Sequence, residues 1–294
     1  MLNLTHVNAF LAVLQTGSFH AAARRLDVGQ PAVSQYVKQL EVSLGFPLVE
    51  RRRKGCIATR HGEIFAHYAR RLIATAESAK AHVQGTRLAL GASGNIGVYI
   101  LPRALQSVRR SDAGVANVSL TIATNPDIAE QLTAGALDLA AMEWWDDRPG
   151  FTATPWRQER LVVIVPPEHP WAALVALEGE RLRGVPLLGG ERGTGTGTLI
   201  RNRLGRLADD IVIGDNLGST EAVKQAVKAG LGISLVSASA VEEDVARGSL
   251  IALPLDGVEL VKELKLVLPS HLPRSSPAAR LAANLAAIPA EARA

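Results

Sequence analysis

A single cysteine, Cys56, is all the thiol chemistry that 294 residues contain. An intramolecular disulfide and a multi-cysteine metal site are thereby excluded, and such sparing use of cysteine suits a reducing compartment. No apolar run approaches the roughly 18 residues needed to span a bilayer. No basic stretch precedes the apolar segment from Phe10 to Leu14, so no secretion signal is read, and a soluble, cytoplasmic protein with no membrane partner is expected. The seven histidines are scattered without metal-ligand spacing, and no Ser-His-Asp or Cys-His grouping emerges. The glycine-rich run GERGTGTGT from Gly190 to Thr198 lacks the lysine of a phosphate-gripping P-loop. No GxGxxG follows a strand with an acid at the right distance. Nothing here nominates a catalytic residue, a metal or a cofactor, so enzymatic activity is not expected.

What is present is unevenly distributed. Hydrophobic residues make up 47% of the chain, ample for buried cores, and the length corresponds to about two domains. The net charge of +4 conceals a split. Residues 1–90 carry 12 Lys and Arg against 5 Asp and Glu, a local net charge of +7, and residues 91–294 carry 20 against 23, a local −3. The basic excess sits wholly on one end, which suits a polyanionic partner for that end alone.

The stretch from Ser18 to Glu41 reads as two short helices joined by a tight turn. Ser18 is an N-cap candidate, and Ala21, Ala22, Ala23 and Leu26 keep one helical face small and apolar. Asp27, Val28 and Gly29 interrupt the pattern. Gln30-Pro31 restarts it, with the proline in a first helical turn where it is tolerated. In the second helix Val33, Val37 and Leu40 recur at steps of four and three. Gln30, Ala32, Ser34, Gln35 and Lys38 are left facing out, side chains able to bond base edges and phosphates in a major groove. Before these, Leu4, Val7, Phe10, Leu11 and Leu14 give a first helix closed by Gly17. After them, Glu50 to Gly55 (ERRRKG) sets four consecutive cations in a turn.

This order of helix, turn, reading helix and basic wing resembles the N-terminal domain of the LysR-type transcriptional regulators. The resemblance rests on Phe10, Val13, Gly17-Ser18-Phe19, Ala21 to Leu26, Gln30 to Ser34, Leu40-Glu41, Leu44-Gly45, Pro47-Leu48, Glu50-Arg51 and Thr59. It implies a DNA-binding, ligand-responsive regulator. Its reading face is expected to use Ser18, Gln30, Pro31, Ser34, Gln35 and Lys38, with Arg51, Arg52, Arg53 and Lys54 on backbone phosphates. Gly29 stands where the family commonly has serine, and Arg60-His61 where it has an acid and alanine.

From about Thr59 to Arg87 the chain is Ala-rich and free of proline. Ile64, Phe65, Tyr68, Leu72, Ile73, Ala76, Ala79 and Val83 form a long apolar stripe. A helix of that length extends about 40 Å at 1.5 Å per residue, too long for so small a domain to bury. Its own copy in a second chain is one partner, and the chain's own second domain is another; the resemblance favours the dimer and implies tetramers. From Leu88 strand-like and helical blocks alternate, which predicts an α/β fold with a mostly parallel sheet. The family's effector domain has two α/β lobes around a cleft, like a periplasmic binding protein. The expected organisation is α plus α/β: a winged helix-turn-helix over 1–58, a linker helix over 59–87 and an effector domain over 88–294. Lobe I would hold about 88–162 and 267–294, and lobe II about 163–266, the chain crossing near Val162–Pro166 and Lys265–Pro269.

Ligands of such sheets lie beyond strand carboxyl ends, where helix amino termini point free N–H groups. Three loops offer that chemistry: Gly91 to Gly97, Ala123 to Pro126, and Gly193 to Thr198. Candidate effector contacts are Ser93, Gly94, Asn95, Ile96, Thr124, Asn125, Thr194, Gly195 and Thr196, with Glu143 at a strand end beside Trp144 and Trp145. The motifs look like those of members controlling sulfur, carbon-fixation or related small-anion metabolism. Gly190 and Gly197 stand where such members often carry arginine, and Asn95 where they carry threonine, so the contacts should be less cationic. The expected partners are double-stranded DNA with a partly palindromic site, a small-molecule effector and further copies of the chain, with RNA polymerase compatible with the role. The alternative is a small-molecule binding protein whose N-terminal helices serve only oligomerisation.

Overall fold

The computed structural model describes residues 2–52, 55–83, 88–111, 117–190, 195–214 and 217–288, without the side chains of residues 78, 81–83 and 111. The chain divides into two compact units, one of residues 1–87 with 130–138, the other of residues 88–129 and 139–294.

The first unit opens with α1 (Leu4–Thr16), whose N-cap Asn3 accepts a hydrogen bond from the Thr5 N–H at 2.8 Å. Gly17 ends it at φ 66°, a left-handed conformation that a side chain would strain. Then follow α2 (Phe19–Leu26) and α3 (Gln30–Leu44). The periodic residues Val33, Val37 and Leu40 are buried, and they share one core with Val7, Phe10, Val13, Ala22 and Ala23. The small side chains of α2 are what allow α1 and α3 to close over it. The wing is a hairpin of β1 (Val49–Arg52) and β2 (Gly55–Ala58), antiparallel, with Arg51 opposite Cys56. Glu41 fastens its root, Oε1 accepting from the Leu48 and Val49 N–H groups at 2.7 and 3.1 Å. The long helix α4 (Arg60–Val83) divides its apolar stripe. Phe65, Ala66, Ala69 and Ile73 pack on the helix-turn-helix core, whereas Ile64 and Tyr68 are each 56% exposed and Leu72 40%.

The second unit begins with β3 (Leu88–Ser93), which runs directly into a continuous helix: two residues, a π-turn over Ile96–Ile100, and α5 (Leu101–Ser111). There follow β4 (Val118–Ala123), α6 (Asn125–Thr133, of which residues 130–133 belong to the first unit), β5 (Leu139–Met142), β6 (Phe151–Val165), β7 (Leu177–Glu178), β8 (Pro186–Leu187), α7 (Gly195–Leu204), α8 (Leu207–Asp210) and β9 (Val212–Ile213). The chain finishes with α9 (Thr220–Lys228), β10 (Ser234–Ser237), α10 (Glu242–Ala246), β11 (Ile251–Leu253), β12 (Leu255–Asp256), β13 (Val261–Pro269) and α11 (Pro277–Ala287).

The principal sheet runs β10-β6-β13-β5-β3-β4, with β11 also on β6. It is mixed rather than mostly parallel. Only β3 pairs parallel with β4 and β5, while β13 pairs antiparallel with β5 and β6, and β6 with β10 and β11. The reason is that β6 and β13 carry the chain between lobes in opposite directions and pair with each other directly. The crossing also lies earlier on both strands than the sequence suggested. Residues 161–165 already pair with β10 and β11, and Lys265–Val267 still pair with β5. The segments in between, 157–160 on β6 and 261–264 on β13, connect the lobes. A register shift there sets Leu264 against Arg157 and Lys265 against Pro155. Trp156 is the extra residue, a bulge that also accommodates proline in the strand.

Lobe I packs β3, β5, α5 and α11 around Leu90, Leu101, Leu139, Leu281 and Leu285. Burying each such side chain contributes about 1.5–3 kcal/mol. Trp156 Nε1 donates to the Leu285 carbonyl at 2.9 Å, tying α11 to β6. Lobe II has two cores: Val163, Leu177, Ile200 and Leu235 on one side of its sheet, and Ile164, Val223, Val227 and Val236 on the other.

Candidate functional site

In the first unit, burial of Val33, Val37 and Leu40 turns the opposite face of α3 outward. Gln30, Pro31, Gln35 and Lys38 are exposed and Ser34 half-buried. Gln30 Nε2 donates to Ser34 Oγ at 3.3 Å, one turn on, so these two form one polar unit. Ser18 is committed locally: its Oγ accepts from the Ala21 N–H at 3.4 Å and caps α2. The two described wing arginines differ in how they are held. The Arg51 guanidinium lies 4.6 Å from the centre of the Phe19 ring, an attraction between cation and π-face that positions it. Arg52 pairs with Glu50 at 3.3 Å, both side chains in contact with solvent. Arg53 and Lys54 lie outside the described residues. Exposed Arg24 and Arg25 at the end of α2 add charge that the sequence reading passed over.

In the second unit, a cleft of about 740 Å³ opens between the lobes, within the range of small-molecule sites. Ser93, Gly94, Asn95, Thr124, Asn125, Glu143, Gly195 and Thr196 all line it. Ile96 does not: at 1% exposure it is packed in the lobe I core, because the helix turns its apolar face inward there. Thr194 lies outside the described residues. Neither Trp144 nor Trp145 lines the cleft; Trp145 is buried edge-on against Phe151.

Not every expected contact is free for a ligand. Thr124 Oγ1 donates to Asp127 Oδ2 at 2.6 Å and accepts the Asp127 N–H, capping α6. Asn125 uses both ends of its amide: Oδ1 accepts the Glu143 N–H and Nδ2 donates to the Trp144 carbonyl, each at 3.0 Å. It thereby fixes the strand end that carries Glu143. Ser93 Oγ, only 2% exposed, has no hydrogen-bond partner among the described residues.

Lobe II supplies residues the sequence reading missed. Ser219 caps α9, accepting the Ala222 N–H at 3.1 Å, and Thr220 Oγ1 donates across the cleft to Asn95 Oδ1 at 2.7 Å. Tyr99 OH donates to Glu221 Oε2 at 3.3 Å, with Lys224 Nζ 5.2 Å from its ring centre. Lys224 pairs with Glu221 and with buried Asp244, which also holds Lys228. Burial lifts the Tyr99 phenol above its ordinary range, with Lys224 pulling the other way. Hydrogen bonds from Lys224 and Gln225 lower Glu221. Asp244 is lowered despite its burial, because hydrogen bonds from the two lysines outweigh desolvation. On the crossing strand, burial raises Glu159 although the Ser239 N–H donates to it at 3.0 Å.

The amino ends of four helices therefore face one cleft: the helix after Ser93, α6, α7 and α9. A helix amino end has N–H groups without an intrahelical partner and a partial positive charge; Thr124 and Ser219 each take one of them, on α6 and α9. Among the described lining residues there is no lysine or arginine, and no cluster of three metal-binding side chains occurs among the described residues.

Comparison with known proteins accounts for both units. Residues 4–63 match the family described as bacterial regulatory helix-turn-helix protein, lysR family, and residues 81–288 match the LysR substrate binding domain. The chain belongs to the LysR family. It is 43% identical over 196 residues to the putative HTH-type transcriptional regulator protein PtxE of Stutzerimonas stutzeri, covering 67% of this chain and 100% of that protein. It is 30% identical over 264 residues to the RuBisCO operon transcriptional regulator of Allochromatium vinosum, covering 87% of this chain and 86% of that one. The crystal structure of ArgP from Mycobacterium tuberculosis has the same fold, with a TM-score of 0.72, 22% identity, and 98% of both chains covered. As a LysR regulator the chain is a ligand-responsive transcription factor and not an enzyme, with an N-terminal helix-turn-helix and a two-lobed substrate-binding domain. LysR regulators bind DNA and small-molecule effectors and self-associate. Among the described residues no helix is long and apolar enough to cross a membrane.

Proposed function

We propose that this LysR regulator senses a small anion, an inorganic oxyanion or a short carboxylate, and reports it to DNA through α3 and the wing. The observation that carries this reading is the cleft lining: four helix amino ends and several hydroxyls, with its two carboxylates, Glu143 and Glu221, each already held by a buried lysine. Converging backbone N–H groups hold a desolvated anion through hydrogen bonds and helix dipoles. The contacts proposed are Ser93, Gly94, Asn95, Thr194, Gly195 and Thr196 with Ser219 and Thr220, while Thr124 and Asn125 hold the walls in place. No cofactor is needed for this.

On DNA, Gln30, Pro31, Ser34, Gln35 and Lys38 are the base-facing side and Arg51 to Lys54 the phosphate contacts, with Ser18 fixing the start of α2. The exposed row of Ile64, Tyr68 and Leu72 on α4 supports a dimer through paired linker helices, so that two reading helices meet two half-sites. Tetramers, contact with RNA polymerase and residence in the cytoplasm complete the reading. The proposed division of the chain is 1–58 for the DNA-binding domain, 59–87 for the linker and 88–294 for the effector domain, with lobe II beginning near 161. Relatives named for operon control favour a nearby operon as target.

The test is footprinting of the full chain on its own upstream DNA across a salt series, with and without sulfate, phosphate and short carboxylates. The expected result is a salt slope of about −0.9 per phosphate neutralised and a footprint that changes with one class of anion. Binding no tighter than to random DNA would leave the helices an oligomerisation role only. A footprint insensitive to every anion but sensitive to a neutral or cationic metabolite would overturn the ligand class.

A further inference from the structure

Beside the cleft, a buried cation is hidden behind a carboxylate of the chain itself. Lys262 sits on β13 where the chain crosses between lobes, and it is 5% exposed. Its Nζ donates to Glu143 Oε2 at 2.9 Å and to Thr196 Oγ1 at 3.1 Å. Glu143 directly follows the lobe I strand β5, and Thr196 lies in the first turn of the lobe II helix α7. Three parts of the effector domain therefore meet at one ion pair.

The carboxylate also occupies the amino end of α7. A Cβ built on Gly195 would run into Glu143 Oε2 and lie 3.0 Å from its Cδ, so only glycine leaves room for the acid there. A buried anion paired with a lysine and set against the first residue of a helix has the environment that an anionic ligand of this cleft would need. Also lining the cleft, Ser93 Oγ is buried with no hydrogen-bond partner among the described residues.

We propose that Lys262 is the anion-binding cation of this cleft and that Glu143 is a resident competitor, occupying the seat until an effector anion displaces it. This rests on the anion reading given above. Release of Glu143 would cut the link from β5 to β13 and clear the amino end of α7, while Lys262 still reaches Thr196, so occupancy of the seat and the relation of the two lobes change together. Glu143 also sets specificity, because an incoming ligand must displace an attached carboxylate from one buried ammonium.

Two variants of the full chain test this, Glu143→Gln and Gly195→Ala, with Lys262→Met as the reverse control. Sulfate and phosphate affinity is measured by calorimetry, and the DNA footprint is recorded with no added anion. Thermal melts verify folding; in Glu143→Gln the amide oxygen can still accept from Lys262, so that variant keeps the local hydrogen bond. The expected result is anion binding about tenfold tighter in Glu143→Gln, an effector-like footprint without anion in Gly195→Ala, and lost binding in Lys262→Met. If the wild type binds sulfate or phosphate and Glu143→Gln binds it no tighter, the competitor role is overturned while the anion reading stands. If the wild type binds neither but Glu143→Gln binds one, the competitor role is supported in its strongest form. If no variant binds either anion and Gly195→Ala leaves the footprint unchanged, the proposal is overturned.

Discussion

The reading face and the cleft handle charge in opposite ways. On α3 and the wing, Lys38, Arg51 and Arg52 stand in water, held at most by a ring or an exposed acid. In the effector domain, Lys262 and Lys224 are deeply buried and each is matched by a carboxylate at 2.9 Å or closer. Exposed cations approach a polyanion at little desolvation cost and give affinity that salt screens away. Buried pairs are costly to break, so they suit a switch between discrete arrangements. One end of the chain is built for graded electrostatic attraction, the other for a choice between partners.

The hardest test of this contrast removes a core residue from one side only. Phe10, fully buried in the shared core of α1, α3 and α4, is the largest fully buried side chain of the first unit. Phe10→Ala should cost about 3–5 kcal/mol and abolish specific DNA binding in gel shift. Calorimetric anion binding by the same preparation should persist. Loss of both together would mean that the two functions cannot be separated in this way.

Next in size is Lys224→Met, which leaves Asp244 with Lys228 as its remaining lysine and removes the Glu221 pair, and should destabilise the fold by about 1.5–3 kcal/mol. It carries a pH signature. Burial alone would raise Asp244, yet hydrogen bonds from Lys224 and Lys228 hold it below its ordinary 3.8. The unfolded chain then binds the proton more readily, so this stabilisation is present above 3.8 and lost as pH falls below it. Denaturant midpoints of the variant should fall less steeply with acid than those of the wild type. An unchanged acid slope would remove Lys224 from that account.

How far the sequence foresaw these features follows from how local each signal is. The helix-turn-helix was legible because every boundary carries its own residue: Asn3, Gly17, Ser18, Pro31 and Gly45 all stand at helix ends. The inward set Val33, Val37 and Leu40 then has only one periodicity that fits. In the cleft, Ser93 to Asn95 were legible as a strand-to-helix turn for the same reason. Lys262 was not, since its partner Glu143 is 119 residues away. Yet the alternation Lys262, Leu264, Leu266 along β13 put the lysine on the buried side, and read strictly at period two it marks an inward charge. The long β6 was masked because Pro155 and the charges from Arg157 to Arg160 break its apolar pattern, and antiparallel pairing with β13 makes it a strand all the same.

A smaller effect separates sequence discrimination from general attraction. Gln35, exposed on α3, should contribute about 1–3 kcal/mol of preference for the cognate site. Gln35→Ala is expected to narrow the gap between specific and random DNA while leaving affinity for random DNA in place. Competition titrations with both DNAs check this, and an equal loss on both would move Gln35 to the phosphate side.

Glu159 gives the mirror image of Asp244. Its pKa is raised above 4.5 chiefly by burial, with the Ser239 N–H and Lys262 only partly compensating. Here the folded state holds the proton longer, so stability falls as pH rises from 4.5 through the folded value. Glu159→Gln keeps an oxygen for Ser239 and needs no proton to stay neutral. It should be about 1 kcal/mol more stable than wild type near pH 7 and flatter across the range above 4.5. Denaturant midpoints that keep the wild-type slope in this variant would assign the pH dependence to another group.

The smallest expected effect concerns Arg52, and it bears most directly on the contrast between exposed and buried charge. Arg52 already has a partner in Glu50, but both lie in solvent, where such a pair contributes no more than about 1 kcal/mol. A phosphate can replace that partner at almost no cost. Arg52→Ala should therefore weaken specific and random DNA by similar factors and reduce the log–log salt slope by about 0.9. Glu50→Ala should do the reverse, strengthening both slightly by freeing the guanidinium. If Arg52→Ala leaves the slope unchanged while Glu50→Ala weakens binding, the exposed pair is itself the structural feature that DNA needs. The wing would then work by the same fixed pairing that governs the cleft.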